Sequence, residues 1–97
     1  MVRYLLLISF TDRGIKDVSQ SLDRAAGFKS QVESVGGKVV SQYWALGEFD
    51  GVLVFECPDD RVAASLMLKL GQADNVRTRT TRLFDASEFG EIVSSVA

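Results

Sequence analysis

Four polar residues in the second half of the chain have the types and spacing of a small-ligand site: Glu56, Thr78, Thr80 and Arg82. Alternation along the strands predicts that they converge on the sheet face that carries Tyr4. A carboxylate and a guanidinium placed there could orient a polar ligand in an otherwise apolar cavity. The competing interpretation is a buried Glu56–Arg82 ion pair that fixes the register of a dimer and binds nothing, since buried charges are normally paired.

Two loops add weaker candidates for ligand contacts. Thr11 and Asp12 follow the first apolar segment, and Asp50 lies in the turn at residues 47–51. Tyr43, beside Trp44, could stack on a flat ligand. Ordinary loop chemistry is the alternative, because Thr and Asp side chains often satisfy nearby backbone groups, and aromatic residues in a half-buried strand often belong to the core.

The composition excludes several kinds of chemistry. The 97 residues include no histidine, which excludes Ser-His-Asp and Cys-His nucleophile activation and the usual His-ligated metal sites. Cys57 is the single cysteine, so no intrachain disulfide or cysteine zinc site can form, and we expect a cytoplasmic protein. The net charge of −2 predicts no nucleic-acid or membrane partner. We expect no metal and no cofactor, and the catalytic residues, if the chain is an enzyme, are unknown.

The elements that must position these residues follow from the apolar pattern. Residues 2–10 predict a strand, and residues 22–35 predict a helix with Ser21 as its N-cap and a Gly-Gly stop. Strands at 38–46 and 51–57 form a hairpin, and Pro58-Asp59-Asp60 ends the second strand and caps a helix that spans about 60–70 and ends at Gly71. A strand spans 76–84 before a short final helix opened by Asp85. This order predicts one α+β domain over residues 1–97 with the ferredoxin-like βαββαβ fold, a four-stranded antiparallel sheet in the order 4-1-3-2, and two helices on one face.

The two central strands are apolar on both sides, which predicts a partner. We group the apolar side chains into two sets: Leu5 and Leu7 with Leu53, Phe55 and Cys57; and Tyr4, Leu6, Ile8 and Phe10 with Val52 and Val54. A monomer would expose one of these sets, and an exposed apolar area of that size usually marks an interface. We therefore expect a homodimer or higher oligomer, arranged as a dimeric α+β barrel.

The chain resembles the GYD-domain family of small, mostly uncharacterised bacterial proteins. The resemblance covers nearly the whole chain and is carried by residues 10–16, 43–50, 58–60 and 71–84. Glu48-Phe49-Asp50 stands where the family has its Gly-Tyr-Asp turn. The resemblance implies a fold related to dimeric α+β barrels, and it implies no established reaction.

Two functions are compatible with these observations. The first is a dimerising module that binds a small molecule between two sheets. The alternative is a cofactor-independent small-molecule enzyme of the dimeric α+β barrel type, similar to monooxygenases of that fold. Without histidine, proton transfer in such an enzyme would depend on Glu56, Asp12, Asp50 or a tyrosine.

Overall fold

The computed structural model describes residues 1–96 and contains one four-stranded sheet. The strands are β1 (Val2–Phe10), β2 (Lys38–Trp44), β3 (Gly51–Cys57) and β4 (Val76–Leu83). The helices are α1 (Asp12–Lys16), α2 (Ser21–Ser34), α3 (Asp60–Gln72) and α4 (Ala86–Ser94), with a 3₁₀ turn at Val18–Gln20 between α1 and α2.

The sheet has the strand order β2-β3-β1-β4, and its three neighbouring pairs are antiparallel. Helices α2 and α3 pack on one face of the sheet and touch each other. This is the ferredoxin-like α+β arrangement that the sequence predicts. The opposite face of the sheet, which we call the open face, has no helix packed over it among residues 1–96.

The core lies between the sheet and the two long helices. Its fully buried side chains are Leu6, Val32, Leu53, Phe55 and Cys57. Phe55 is at the centre, because the Tyr4 ring stacks on it at 5.2 Å between centroids and the Phe28 ring meets it edge-on at 5.9 Å. Burying aromatic and aliphatic side chains in this way is the main force that holds α2 against the sheet.

The register of β1 against β3 corrects the predicted grouping of the central strands. Tyr4 lies opposite Phe55 and Leu6 lies opposite Leu53, so even residues of β1 share a face with odd residues of β3. The prediction joined Leu5 with Phe55 and was wrong. A shift of one residue exchanges the two faces of a strand, and alternation within each strand leaves the register between strands undetermined.

A short helix, α1, occupies the segment that the sequence predicts to be a loop. Thr11 caps it: the Thr11 hydroxyl accepts from the Gly14 amide at 3.0 Å and donates to the Asp74 carbonyl at 2.6 Å. Gly14 packs directly on the α3–β4 turn, where an added Cβ would lie 1.9 Å from the Asn75 carbonyl oxygen. A single helical turn is too short to give an apolar period, which is why the sequence pattern does not reveal it.

The helix ends are partly as predicted. Asp59 caps α3 by accepting from the Val62 amide at 2.9 Å, and Asp85 and Glu88 form the reciprocal capping box of α4. The predicted cap at Ser21 is wrong, since Gln20 holds the N-cap position and Ser21 is the first residue of α2. The predicted stop at Gly71 is also early, because α3 continues to Gln72.

Candidate binding sites

The open face has an apolar centre formed by two strands. Leu5 and Leu7 of β1 lie beside Val54 and Val52 of β3, and all four side chains are partly exposed. The polar side chains that the register places around them are Arg3, Ser9, Lys38, Ser41, Glu56, Arg77, Arg79 and Thr81. Tyr43 of β2, opposite Val52, extends the apolar area and is 68% exposed.

Glu56 pairs with Arg3 on the open face, and this corrects the predicted Glu56–Arg82 pair. The two residues are direct cross-strand neighbours, and the Arg3 guanidinium donates to Glu56 Oε2 from Nη2 at 2.7 Å and from Nε at 3.1 Å. Arg82 lies opposite Tyr4, on the helix-covered face. The pairing was wrong for the same reason as the apolar grouping, namely the unforeseen register of β1 against β3.

The three polar residues of β4 share a face, as predicted, but Glu56 does not join them. Thr78 and Thr80 lie opposite Ile8 and Leu6 on the helix-covered side, with Arg82 beyond them. The Arg82 guanidinium stacks 4.4 Å from the centroid of the Phe84 ring, donates to the Leu83 carbonyl and lies 3.5 Å from Glu88 Oε2. Through these contacts, Arg82 connects the end of β4 to α4.

Tyr4 and Cys57 are core residues. The Tyr4 side chain is 6% exposed and its hydroxyl donates to Asp60 Oδ1 at the start of α3. Burial, and then the hydrogen bond to Asp60, raise the pKa of the Tyr4 phenol. Burial also raises the pKa of the Cys57 thiol, which donates to the Asp59 carbonyl at 3.3 Å. Both groups therefore stay protonated near neutral pH, which does not suit a general acid-base catalyst.

Asp50 joins the β2–β3 hairpin to β1. Its carboxylate accepts from the Phe10 amide at 2.8 Å, and its own amide donates to the Ile8 carbonyl at 2.8 Å. The Asp50 carbonyl in turn accepts from the Ala45 amide at 2.9 Å. Asp12 is an exposed residue in the first turn of α1. Asp50 and Thr11 therefore satisfy nearby backbone groups, as the alternative interpretation proposes.

A cavity of about 70 Å³ lies between α2 and the hairpin end of the sheet, on the helix-covered side. Apolar side chains line most of it, among them Leu6, Ile8, Phe28, Trp44, Leu53 and Leu70. Its polar lining comes from Ser21, Arg24, Gln42 and Asp50. Of the predicted site residues, Asp50 lines the cavity, and Tyr43 only borders it, because the register places the Tyr43 side chain on the open face. Ser21 and Arg24 were missed because no motif distinguishes them from ordinary residues of a helix N-terminus.

Two further kinds of site are absent from residues 1–96. No group of three or more Cys, Asp or Glu side chains in this part of the chain is arranged to hold a metal ion. Across the same residues, no helix has both the length and the apolar character that a membrane crossing requires.

Solved structures with a similar fold include FFRP-DM1 and the leucine response regulatory protein LrpA of Mycobacterium tuberculosis. The first is 15% identical with a TM-score of 0.63, and the match covers 87% of this chain and 100% of FFRP-DM1. The second is 24% identical with a TM-score of 0.58, covering 88% of this chain and 51% of LrpA, so this chain spans about half of that protein. At sequence identities of 15% and 24%, these structural similarities show a shared fold and nothing more.

Two comparisons of sequence show the family as well as the fold. The family model described as GYD domain matches residues 4–93. A Thermus thermophilus protein named glutamine synthetase and cystathionine beta-lyase binding protein is 32% identical over 81 residues, which are 82% of this chain and 85% of that protein. Since both matches extend over most of the sequence and agree with the resemblance carried by its motifs, the chain belongs to the GYD domain family.

Proposed function

We propose that this chain is a binding protein that acts as a homodimer, with the open faces of two sheets packed against each other. The observation that carries the proposal is the apolar centre of that face, where Leu5, Leu7, Val52 and Val54 have no helix over them among residues 1–96. Covering this area removes apolar surface from water, which is the usual driving force for association.

A second copy fits the open face because a two-fold axis brings identical surfaces together. The apolar centre can then pack on itself, and the polar side chains around it carry both signs of charge, among them the paired Arg3 and Glu56 and the cations Arg77 and Arg79. Two ferredoxin-like sheets joined in this way form a dimeric α+β barrel.

The partner of the dimer is proposed to be an enzyme. This rests on the Thermus thermophilus relative, which is named for binding glutamine synthetase and cystathionine beta-lyase. The surface that we assign to this contact is α4, whose apolar side chains Phe89, Ile92 and Val93 are 56%, 39% and 51% exposed. An amphipathic helix with its apolar side exposed suits a groove on a partner protein.

The geometry gives less support to the alternative, a cofactor-independent enzyme. Of the candidates for proton transfer, Glu56 is bonded to Arg3 and Asp50 is bonded to the Phe10 amide. The polar side chains that were expected to contact a ligand between two sheets also lie on opposite faces of the sheet. Glu56 is on the open face and Arg82 is on the helix-covered face. We therefore do not include a ligand between the sheets in the proposal.

Binding of enzymes is tested by biolayer interferometry. The chain is immobilised, and glutamine synthetase and cystathionine beta-lyase are purified from the organism that encodes this chain. We expect saturable binding of at least one enzyme. Val93→Asp should weaken it at least tenfold, whereas Ser94→Asp, which adds the same charge to the same helix, should change it little. Equal binding by the two variants would contradict the assignment of α4, and no binding of either enzyme would contradict the choice of partner.

A further inference from the structure

The cavity between α2 and the sheet has two features of a ligand site that packing alone does not explain. The Ser21 hydroxyl is buried and has no hydrogen-bond partner. Buried polar atoms are nearly always bonded, so an unpartnered one beside a cavity indicates a group that arrives from outside the chain.

The second feature is the loose attachment of Arg24, which lines the same cavity. Its guanidinium reaches the Gly14 carbonyl at 3.4 Å and the Asp17 carboxylate at 3.8 Å, both long for a charge-assisted hydrogen bond. The Asp17 side chain is itself 63% exposed, so the pair is weak. Most of the donor capacity of this guanidinium remains available to an anion at the cavity.

We propose that the cavity binds a small aliphatic carboxylate. The carboxylate accepts hydrogen bonds from the Arg24 guanidinium and the Ser21 hydroxyl, and the tail packs on the apolar wall that includes Leu6 and Phe28. Asp50 also lines the cavity, but its carboxylate is held by the Phe10 amide at the hairpin end. This site lies on the opposite side of the sheet from the proposed dimer interface, so the two proposals can fail separately.

The volume sets the size of the ligand. A cavity of about 70 Å³ has room for about five waters on the usual scale for buried water, which corresponds to a short tail with few carbons. A branched four-carbon tail is shorter from end to end than a linear tail with the same number of carbons. The probe that we choose is therefore 3-methylbutanoate.

The binding test uses the fluorescence of Trp44, which is the single tryptophan of the chain and lines the cavity. Titration with 3-methylbutanoate should give a saturable change in emission. The uncharged 3-methyl-1-butanol and the cationic 3-methyl-1-butylamine have the same tail and should bind at least tenfold more weakly. Equal binding of the alcohol or the amine would overturn the assignment of a carboxylate site, and no saturable binding of any of the three would overturn the site itself.

Matched variants identify the residues responsible. Arg24→Met should weaken binding of 3-methylbutanoate about tenfold, whereas Lys29→Met, which removes a cation from an exposed position of the same helix, should leave it unchanged. Ser21→Ala should weaken binding while keeping or raising the melting temperature, because it removes an unpartnered polar atom. Unchanged affinity in both Arg24→Met and Ser21→Ala, with native melting temperatures, would contradict the proposal.

Discussion

Arg3 and Glu56 face each other across the two central strands, and their closest side-chain nitrogen and oxygen atoms are 2.7 Å apart. In one chain the two side chains are 32% and 19% exposed. The pair lies on the open face beside Leu5 and Val54, so packing of a second sheet on that face would remove it from water. In the proposed dimer, this partly exposed ion pair would be buried.

The first prediction concerns Glu56→Gln, which leaves the Arg3 charge without its partner. If the pair is buried in a dimer, the variant should lose on the order of 3 kcal/mol of stability, whereas an exposed pair would cost at most about 1 kcal/mol. Urea denaturation measures the difference. The double variant Arg3→Met/Glu56→Met should recover most of the loss. If Glu56→Gln loses as little stability as Glu33→Gln, a control at an exposed position, the pair is not buried.

A second prediction uses two glycines that differ in their surroundings. Gly14→Ala places a methyl group 1.9 Å from the Asn75 carbonyl oxygen, so α1 must move away from the α3–β4 turn. We expect a loss of about 2 kcal/mol or more. Gly27→Ala is the control, because an added Cβ there meets nothing within 4 Å and the residue lies inside α2. Gly27→Ala should stabilise the protein by roughly 0.5–1 kcal/mol. Thermal melts measure both variants, and melting temperatures that both lie above or both lie below that of wild type would refute this explanation.

A third prediction separates the two interpretations of Asp50. Asp50→Ala removes the acceptor of the Phe10 amide and should cost about 1–2 kcal/mol of stability. Asp50→Asn retains an acceptor oxygen and should recover about half of that. Hydrogen exchange of the Phe10 amide, followed by NMR, reports the bond directly. If exchange at Phe10 is as slow in Asp50→Ala as in wild type, the structural role assigned to Asp50 is wrong.

The sequence predicts the fold well because the fold depends on patterns within single elements. The alternation in residues 51–57, the apolar spacing of the two long helices and the capping residues Asp59 and Asp85 are all local, and each is found in the structure. The strand order followed from the ferredoxin-like pattern of this element order, and the rules of handedness placed both long helices on one face. The family resemblance is likewise carried by short local motifs.

The binding sites were less predictable because they depend on how elements meet. Glu56 was assigned to Arg82, and its actual partner Arg3 depends on a register that no single strand encodes. The cavity combines Ser21 and Arg24 of α2 with Trp44 and Asp50 of the hairpin, and these residues form no motif in the sequence. The β-bulge in β2 between Val39 and Ser41 adds a further shift, which decides that Trp44 lies on the cavity side.

A fourth prediction is the loss of stability at alkaline pH. The folded protein keeps Tyr4 protonated because burial and the bond to Asp60 raise its pKa, whereas in the unfolded chain the phenol titrates near its ordinary value of 10.0. The stabilisation is therefore complete below pH 10 and is lost as the pH rises above it, by about 1.4 kcal/mol per pH unit. Cys57 acts in the same direction from its ordinary value of 9.0.

Tyr4→Phe tests this pH dependence. The variant should be about 1 kcal/mol less stable than wild type at pH 7, because it lacks the hydrogen bond to Asp60. As the pH rises above 10 the gap should close, since only wild type has the Tyr4 proton to lose. Urea denaturation between pH 7 and pH 11 measures both curves, and curves that stay parallel would exclude Tyr4 as the origin of the alkaline loss.

The most direct test of the account is the molar mass of the protein in solution, measured by light scattering with in-line chromatography at micromolar concentration. We predict that wild type has twice the 10.6 kDa of one chain. Leu7→Asp puts an unpaired carboxylate at the centre of the open face and should yield folded monomer, whereas Leu68→Asp, at a position 71% exposed on α3, should remain a dimer. A monomeric wild type, or a Leu7→Asp variant that is as dimeric as Leu68→Asp, would contradict the proposed interface.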